Sequence, residues 1–173
     1  MSPSSQACDP VPPSSIRSVI AGDVSALRDV IDGTGLFPSA MLDDMLASYL
    51  GGQGGEEVWL TADDSASGGL PVAVAFVAPE RMTSGTWNLY LIAVHPERQR
   101  LGVGASLLRH VEMVLGARGA RVLLVETSGL PAFERTRAFY RANGYDEEAR
   151  IREFYAAGED KVVFWKALAA APR

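Results

Sequence analysis

Residues 87–115, WNLYLIAVHPERQRLGVGASLLRHVEMVL, constrain the fold more than any other stretch of the chain. Residues 89–94 are an apolar run that stops at His95-Pro96, which predicts a buried strand. Gln99-Arg100-Leu101-Gly102-Val103-Gly104 then forms a short basic turn. Beyond it Leu107, Leu108, Val111, Val114 and Leu115 recur at helical spacing. A strand feeding a glycine turn that opens a helix is an anion cradle. Glycine lets the backbone approach a ligand closely, and the first N–H groups of a helix have no carbonyl partner. The stretch therefore predicts a site for a phosphate-bearing ligand.

The remainder of the chain fits a single domain around that unit. Its 173 residues are 47% hydrophobic and 21% charged, enough to bury a core. Residues 1–14 are Ser/Pro-rich without periodicity and are predicted to be a disordered leader; residues 15–170 form the predicted domain. The single cysteine, Cys8, lies in the leader, so an intrachain disulfide and a multi-cysteine zinc site are excluded. A net charge of −5 argues against a nucleic-acid partner. No apolar run is long enough to span a bilayer, and the N-terminus lacks the basic and apolar regions of a secretion signal. A cytoplasmic protein without a membrane partner is expected.

In chain order, the patterns predict a strand at 16–20 and a helix capped by Asp23 carrying Val24, Leu27, Val30 and Ile31. A second helix carries Met41, Leu42, Met45, Leu46 and Tyr49. Strands at 56–61 and 71–78 flank the polar join at 63–69 as a hairpin. After the central unit come a nearly all-apolar strand at 121–126, expected to be buried on both faces, and a helix at 131–142. Two final strands, 145–155 and 160–166, close the chain. This order predicts an α/β (α+β) domain with a mixed, mostly antiparallel sheet flanked by helices.

This element order, with Gln99-Arg100-Leu101-Gly102-Val103-Gly104 as a Q/R-x-x-G-x-G/A turn and FYRANGY at 139–145, resembles the GNAT superfamily of acetyl-CoA-dependent N-acetyltransferases. The resemblance covers about residues 16–168. It implies acetyl-CoA as cosubstrate, no metal, and an amine acceptor attacked directly in a ternary complex. It also implies that backbone groups of Ile92, Ala93 and Val94, at a strand bulge, meet the pantetheine arm. The backbone N–H groups of Leu101, Gly102, Val103, Gly104 and Ala105 would hold the pyrophosphate, flanked by Gln99 and Arg100. Tyr140 matches the helix tyrosine that lies beside the CoA sulfur and can protonate the leaving thiolate. Where the family often has asparagine, seven residues earlier, this chain has Phe133. Ser128 is then a candidate replacement, and Arg137 a candidate for the adenine-side phosphates. Family members often pair as dimers, so a homodimer is compatible with the resemblance.

Acetyl transfer to an amine needs a base, because an alkyl ammonium has a pKa near ~10. Glu126, ending the strand RVLLVE, is the candidate base; the alternative is a carboxylate that ties a neighbouring loop or helix. Asn88 stands where histone-type members carry a glutamate base, and it can position water or substrate but cannot take a proton. Tyr90 shares its face by strand alternation. Phe37, Tyr155 and Arg152 are further candidates for the acceptor pocket, Arg152 for a substrate carboxylate. Phe37, with Met41 and Met45, could form an apolar wall, though such a stripe is more often core. The acceptor is expected to be a small-molecule amine or amino acid. A protein N-terminus or lysine is the alternative, and a non-catalytic acyl-CoA sensor is the contrasting class.

Overall fold

The computed structural model describes residues 15–168. The predicted leader, with Cys8, lies outside the described residues, as do residues 169 and 170 of the predicted domain. The chain forms β1 (Ile16–Ser18), α1 (Val24–Thr34), α2 (Ala40–Leu50), β2 (Val58–Asp64) and β3 (Leu70–Pro79). There follow β4 (Thr86–Val94), α3 (Val103–Ala117), β5 (Val122–Ser128), α4 (Glu134–Ala142), β6 (Asp146–Ala156) and β7 (Glu159–Ala167). The strands make one sheet in the order β1-β2-β3-β4-β5-β7-β6. Every pairing is antiparallel except β4 with β5, which α3 joins as the crossover of a β-α-β unit.

Two apolar layers hold helices against the sheet. On one face Leu27, Val30 and Ile31 of α1 and Leu42 and Leu46 of α2 pack with Trp59, Val74, Leu91 and Ala93. Trp59 is fully buried, and its ring stacks on Phe76 with centroids 4.2 Å apart. On the other face Leu107, Leu108, Val111 and Leu115 of α3 pack with Leu89, Leu123, Val125 and Tyr140. α1 and α3 thus turn the stripes their spacing predicted onto the sheet. Met45 packs against the first layer, whereas Met41 is exposed.

The expectation that the strand at 121–126 is buried on both faces is corrected. Leu123 and Val125 are buried beneath α3, but Val122 and Leu124 are only half-buried and Glu126 is exposed. The α1–α2 layer packs over β2, β3 and β4, which leaves that side of β5 open.

The strand bulge sits at Tyr90, not at 92–94. Phe76 pairs with Leu91 and the adjacent Val77 with Leu89, so Tyr90 is the extra residue. One inserted residue flips the alternation. Leu89 therefore faces the α3 layer, Leu91 and Ala93 face the α1–α2 layer, and Ile92 and Val94 return to the α3 side.

Beside β1, the Arg17 guanidinium forks onto the Asp23 carboxylate with two bonds of 2.8 Å and donates its Nε–H to Asp63 at 2.7 Å. Asp23 also accepts the Ile20 N–H at 2.8 Å. Hydrogen bonding to Arg17 holds the Asp23 carboxyl below its usual range, against an opposing desolvation. A lowered folded pKa stabilises the fold above the unfolded value of about 3.9, and that stability is lost as pH falls through the folded value. Arg17→Ala leaves buried Asp23 without its cation and is expected to cost about 1–3 kcal/mol at pH 7. The difference in melting temperature between the variant and the parent should shrink as pH falls below about 3.9 and the contribution of the Asp23 carboxylate is progressively lost.

Candidate active site

The sheet opens where β4 and β5 stop pairing. Their parallel register runs from Thr86–Val122 to Leu89–Val125, ending one residue before the Tyr90 bulge. Past that point both strands continue unpaired to each other, β4 to Val94 and β5 to Ser128. A cavity of about 770 Å³ occupies the gap, within the range of small-molecule sites. Tyr90, Ile92 and Val94 line one side and Glu126, Thr127 and Ser128 the other. Phe37, from the connector between α1 and α2, closes over it, half-buried.

The α3 N-terminus forms the cradle. Arg100 and Gly102 both have left-handed backbones, with φ of 63° and 83°. Gly102 caps α3, and its carbonyl accepts the Ser106 N–H at 2.9 Å, so the N–H groups of Val103, Gly104 and Ala105 precede the helical ladder. Gly104 has another role. A Cβ there would lie 3.4 Å from Val94 and 3.6 Å from Phe139, so the glycine provides room between β4 and α4 rather than a special φ. The Gln99 side chain donates to the Val94 carbonyl at 3.0 Å and fixes the turn to the strand end.

Tyr140 reaches the cavity from α4. The residue is 3% exposed, and its ring packs against Phe139, Tyr145 and Phe164. Burial alone pushes its phenol above the usual range. Its hydroxyl has no hydrogen-bond partner among the described residues. Glu126 forms an ion pair with the buried Lys161 at 3.1 Å. That carboxylate is felt by two cavity phenols. Tyr90 is raised first by desolvation and Glu80, then by Glu126; Tyr155 is raised by desolvation, then by Glu126 and Glu159. Two aromatic rings and two carboxylates, Glu126 and Glu159, thus share one part of the cavity lining.

The profile of the acetyltransferase (GNAT) domain matches residues 54–147, just over half of the chain. A solved GNAT-family protein of Desulfovibrio desulfuricans is 30% identical, with 90% of this chain and 99% of that one covered and a TM-score of 0.83. The chain belongs to the GNAT acetyltransferase family. Its fold is shared with the ribosomal-protein-S18-alanine N-acetyltransferase of Escherichia coli, at 22% identity and a TM-score of 0.71 over 92% of this chain and 97% of that one. It is shared too with a phosphinothricin acetyltransferase of Sinorhizobium meliloti solved with AcCoA, at 18% identity, TM-score 0.72, covering 90% and 89%. No curated protein matches the chain in sequence. The protein is an acyltransferase with the mixed, mostly antiparallel sheet of its family.

Against this GNAT framework, the predicted site residues divide into two sets. Ile92, Val94, Gln99, Arg100, Gly102, Gly104 and Ala105 line the cavity, as do Glu126, Ser128, Tyr140, Phe37, Tyr90 and Tyr155. Ala93 faces the α1–α2 core, Leu101 is exposed, and Val103 packs on the α3 layer, so these three offer the cavity no side chain. Ser128 is occupied locally, its hydroxyl accepting the Leu130 N–H at 3.1 Å.

Arg137 does not line the GNAT cavity. It is buried, donating to the Ser128 carbonyl at 2.6 Å and the Leu130 carbonyl at 2.9 Å and pairing with Glu134, so it ties the β5–α4 loop to α4. Arg135, two residues earlier, takes the cavity side. Two residues are about 200° around a helix, which puts the pair on opposite faces. Arg100 and Arg135 both line the cavity, and neither has a carboxylate partner among the described residues. Arg152 is exposed on β6 outside the cavity, and its neighbour Arg150 pairs with Glu147 and Asp160. Phe133 and Asn143, at the two ends of α4, also line the cavity. Glu80, which no sequence pattern marked, receives hydrogen bonds from both Asn88 and Tyr90. Among the described residues there is no cluster of metal-ligating side chains, and no helix is long and apolar enough to cross a membrane.

Proposed function

We propose that this chain transfers the acetyl group of acetyl-CoA to a primary amine of a small cationic molecule, by direct attack in a ternary complex. One observation carries this reading. A single cavity joins a bare helix N-terminus, two arginines without ion pairs among the described residues and a buried phenol to an aromatic, acidic surface. The first group suits a phosphorylated acyl carrier; the second suits an ammonium ion.

Acetyl-CoA supplies an activated acyl carbon and a thiolate leaving group. The N–H groups of Val103, Gly104 and Ala105 bind its diphosphate at the positive end of α3. Arg100 and Arg135 add charge-assisted bonds to phosphate oxygens. Backbone groups of residues 92–94, on the strand edge past the β4–β5 pairing, hold the pantetheine amides as an added strand would. The raised Tyr140 phenol stays protonated and donates a hydrogen bond to the sulfur as negative charge develops there. Glu126 accepts the ammonium proton, directly or through water, while Lys161 holds its carboxylate in place.

The lining also supports an acceptor class. Arg152 lies outside the cavity and Arg150 is paired to two carboxylates, so β6 lends the cavity no arginine for a substrate carboxylate. Tyr90, Tyr155, Glu126 and Glu159 suit an amine without one.

Thiol release from acetyl-CoA tests the proposal, with benzylamine, 1,4-diaminobutane, spermidine, L-lysine, L-phenylalanine and a peptide with a free N-terminus as acceptors. Release is expected with the amines that lack a carboxylate and to be weaker with the free amino acids. A melting temperature raised by acetyl-CoA without release to any acceptor would instead support a sensor. A melting temperature that acetyl-CoA leaves unchanged would remove the ligand assignment. Arg100→Ala and Arg135→Ala are each expected to raise the acetyl-CoA Kd about five- to tenfold at low salt and less at high salt, with kcat within about twofold. Calorimetry at two ionic strengths checks this.

A further inference from the structure

Glu80 lies just past the end of β3, and its backbone N–H closes the turn to β4 by donating to the Thr86 carbonyl at 2.9 Å. One oxygen of its carboxylate, Oε1, accepts two bonds of 3.0 Å, from Asn88 Nδ2 and from the Tyr90 hydroxyl. Asn88 is 2% exposed, so the amide end of this cluster is fixed inside the sheet, and its Oδ1 has no partner among the described residues. Tyr90 is half exposed and lines the cavity. No cation pairs with Glu80 among the described residues, in contrast to Glu126, which pairs with Lys161.

These bonds decide which way the Tyr90 hydroxyl is polarised. A phenol has one O–H to donate and lone pairs to accept with. Here the O–H is committed to Glu80, so what the oxygen offers its surroundings is an acceptor. Such an oxygen complements an N–H donor and repels a carboxylate or carbonyl. The charge of Glu80 behind it polarises the O–H further and raises the negative potential at the phenol oxygen.

We infer that Glu80 is a specificity-determining positioning residue, which acts through Tyr90 to make an acceptor-only subsite for the substrate ammonium group. The inference rests on the amine-transfer reading above and extends it to a carboxylate outside the cavity lining. Strand alternation puts Tyr90 on the side of Asn88, so the two side chains converge on one oxygen, while residues beyond the bulge change face.

The test is steady-state kinetics of Glu80→Gln, Glu80→Asp, Tyr90→Phe and the Glu80→Gln/Tyr90→Phe double variant. It uses those panel amines that the parent protein acetylates, at saturating acetyl-CoA. Glutamine is nearly isosteric but can donate its own N–H to the phenol, which frees the phenol O–H to turn toward the cavity. Glu80→Gln and Tyr90→Phe are each expected to raise the amine KM about tenfold. The acetyl-CoA KM should stay within about twofold and the melting temperature nearly constant. The double variant should be no worse than the single ones, because both remove the same interaction, and Glu80→Asp should recover part of the loss. An unchanged amine KM in a folded Glu80→Gln that binds acetyl-CoA normally would overturn the inference while leaving the transfer reading intact. Additive effects of the two substitutions, or a loss confined to acetyl-CoA KM, would overturn it as well. A parent protein that binds acetyl-CoA but acetylates no amine would end the transfer reading, and this inference with it.

Discussion

Replacing Tyr140 by phenylalanine is expected to lower kcat by roughly 10²-fold, on the scale of losing one preorganised hydrogen-bond donor from a site of developing charge. The affinity for acetyl-CoA should stay within about twofold. The argument starts from packing. The Tyr140 ring is wedged among Phe139, Tyr145 and Phe164, and phenylalanine fills the same space. The hydroxyl makes no hydrogen bond within the described part of the protein, so its removal leaves no orphaned partner and costs the fold little. The residue lines the cavity. Burial has raised the phenol, whereas a thiol has a pKa of about 8.5. Full proton transfer from such a phenol to a thiolate is uphill. The group is suited instead to donate a strong hydrogen bond that forms as the sulfur gains charge, an interaction stronger in the transition state than in the ground state. Rapid-quench kinetics of acetyl-CoA consumption at saturating acceptor checks this, since it separates the chemical step from binding.

Gly102→Val should produce the opposite signature: acetyl-CoA Kd raised about tenfold or more, with a smaller change in kcat at saturation. Gly102 has φ of 83°, where a β-branched residue is strained by about 1–2 kcal/mol. A Cβ there meets nothing within 4 Å, so at that atom the substitution adds backbone strain and no clash. The strain relaxes by rotating the turn, and the turn is what aims the N–H groups of residues 103–105. Gly104→Ala is the control. Its Cβ makes ordinary contacts with Val94 and Phe139 and demands no unusual backbone, so this variant should keep its melting temperature. Equilibrium binding of acetyl-CoA to the three proteins, with melting curves beside it, distinguishes a misaimed cradle from a general loss of fold.

The strand, turn and helix at 87–115 were legible because an apolar run stopped by His95-Pro96, a glycine turn and a helical spacing succeed one another there. The bulge at Tyr90 was not, since residues 89–94 are almost uniformly apolar and a break in alternation leaves no trace in such a run. Arg135 and Arg137 could not be told apart by sequence either. Both are arginines in a polar helix, and which one turns inward depends on the 3-10 turn at Pro131–Phe133 that sets the phase of α4. The double burial expected at 121–126 failed for a related reason. Residues 122–125 are all apolar, yet the α1–α2 layer stops at β4, and tertiary coverage is not written in a local pattern. Glu80 lay beyond any motif, because its role comes from a turn that folds it back onto β4. Glu126 lines the cavity, and its ion pair is with Lys161 of strand β7 and not with a loop or helix N-terminus.

The most direct test of the central claim, that the opening between β4 and β5 with the α3 cradle is the acyl-CoA site, is calorimetric titration of acetyl-CoA into the parent protein and Gly102→Val. One site per chain is expected, with affinity reduced about tenfold or more by the substitution. No binding to the parent protein, or equal affinity in the two, would contradict the account.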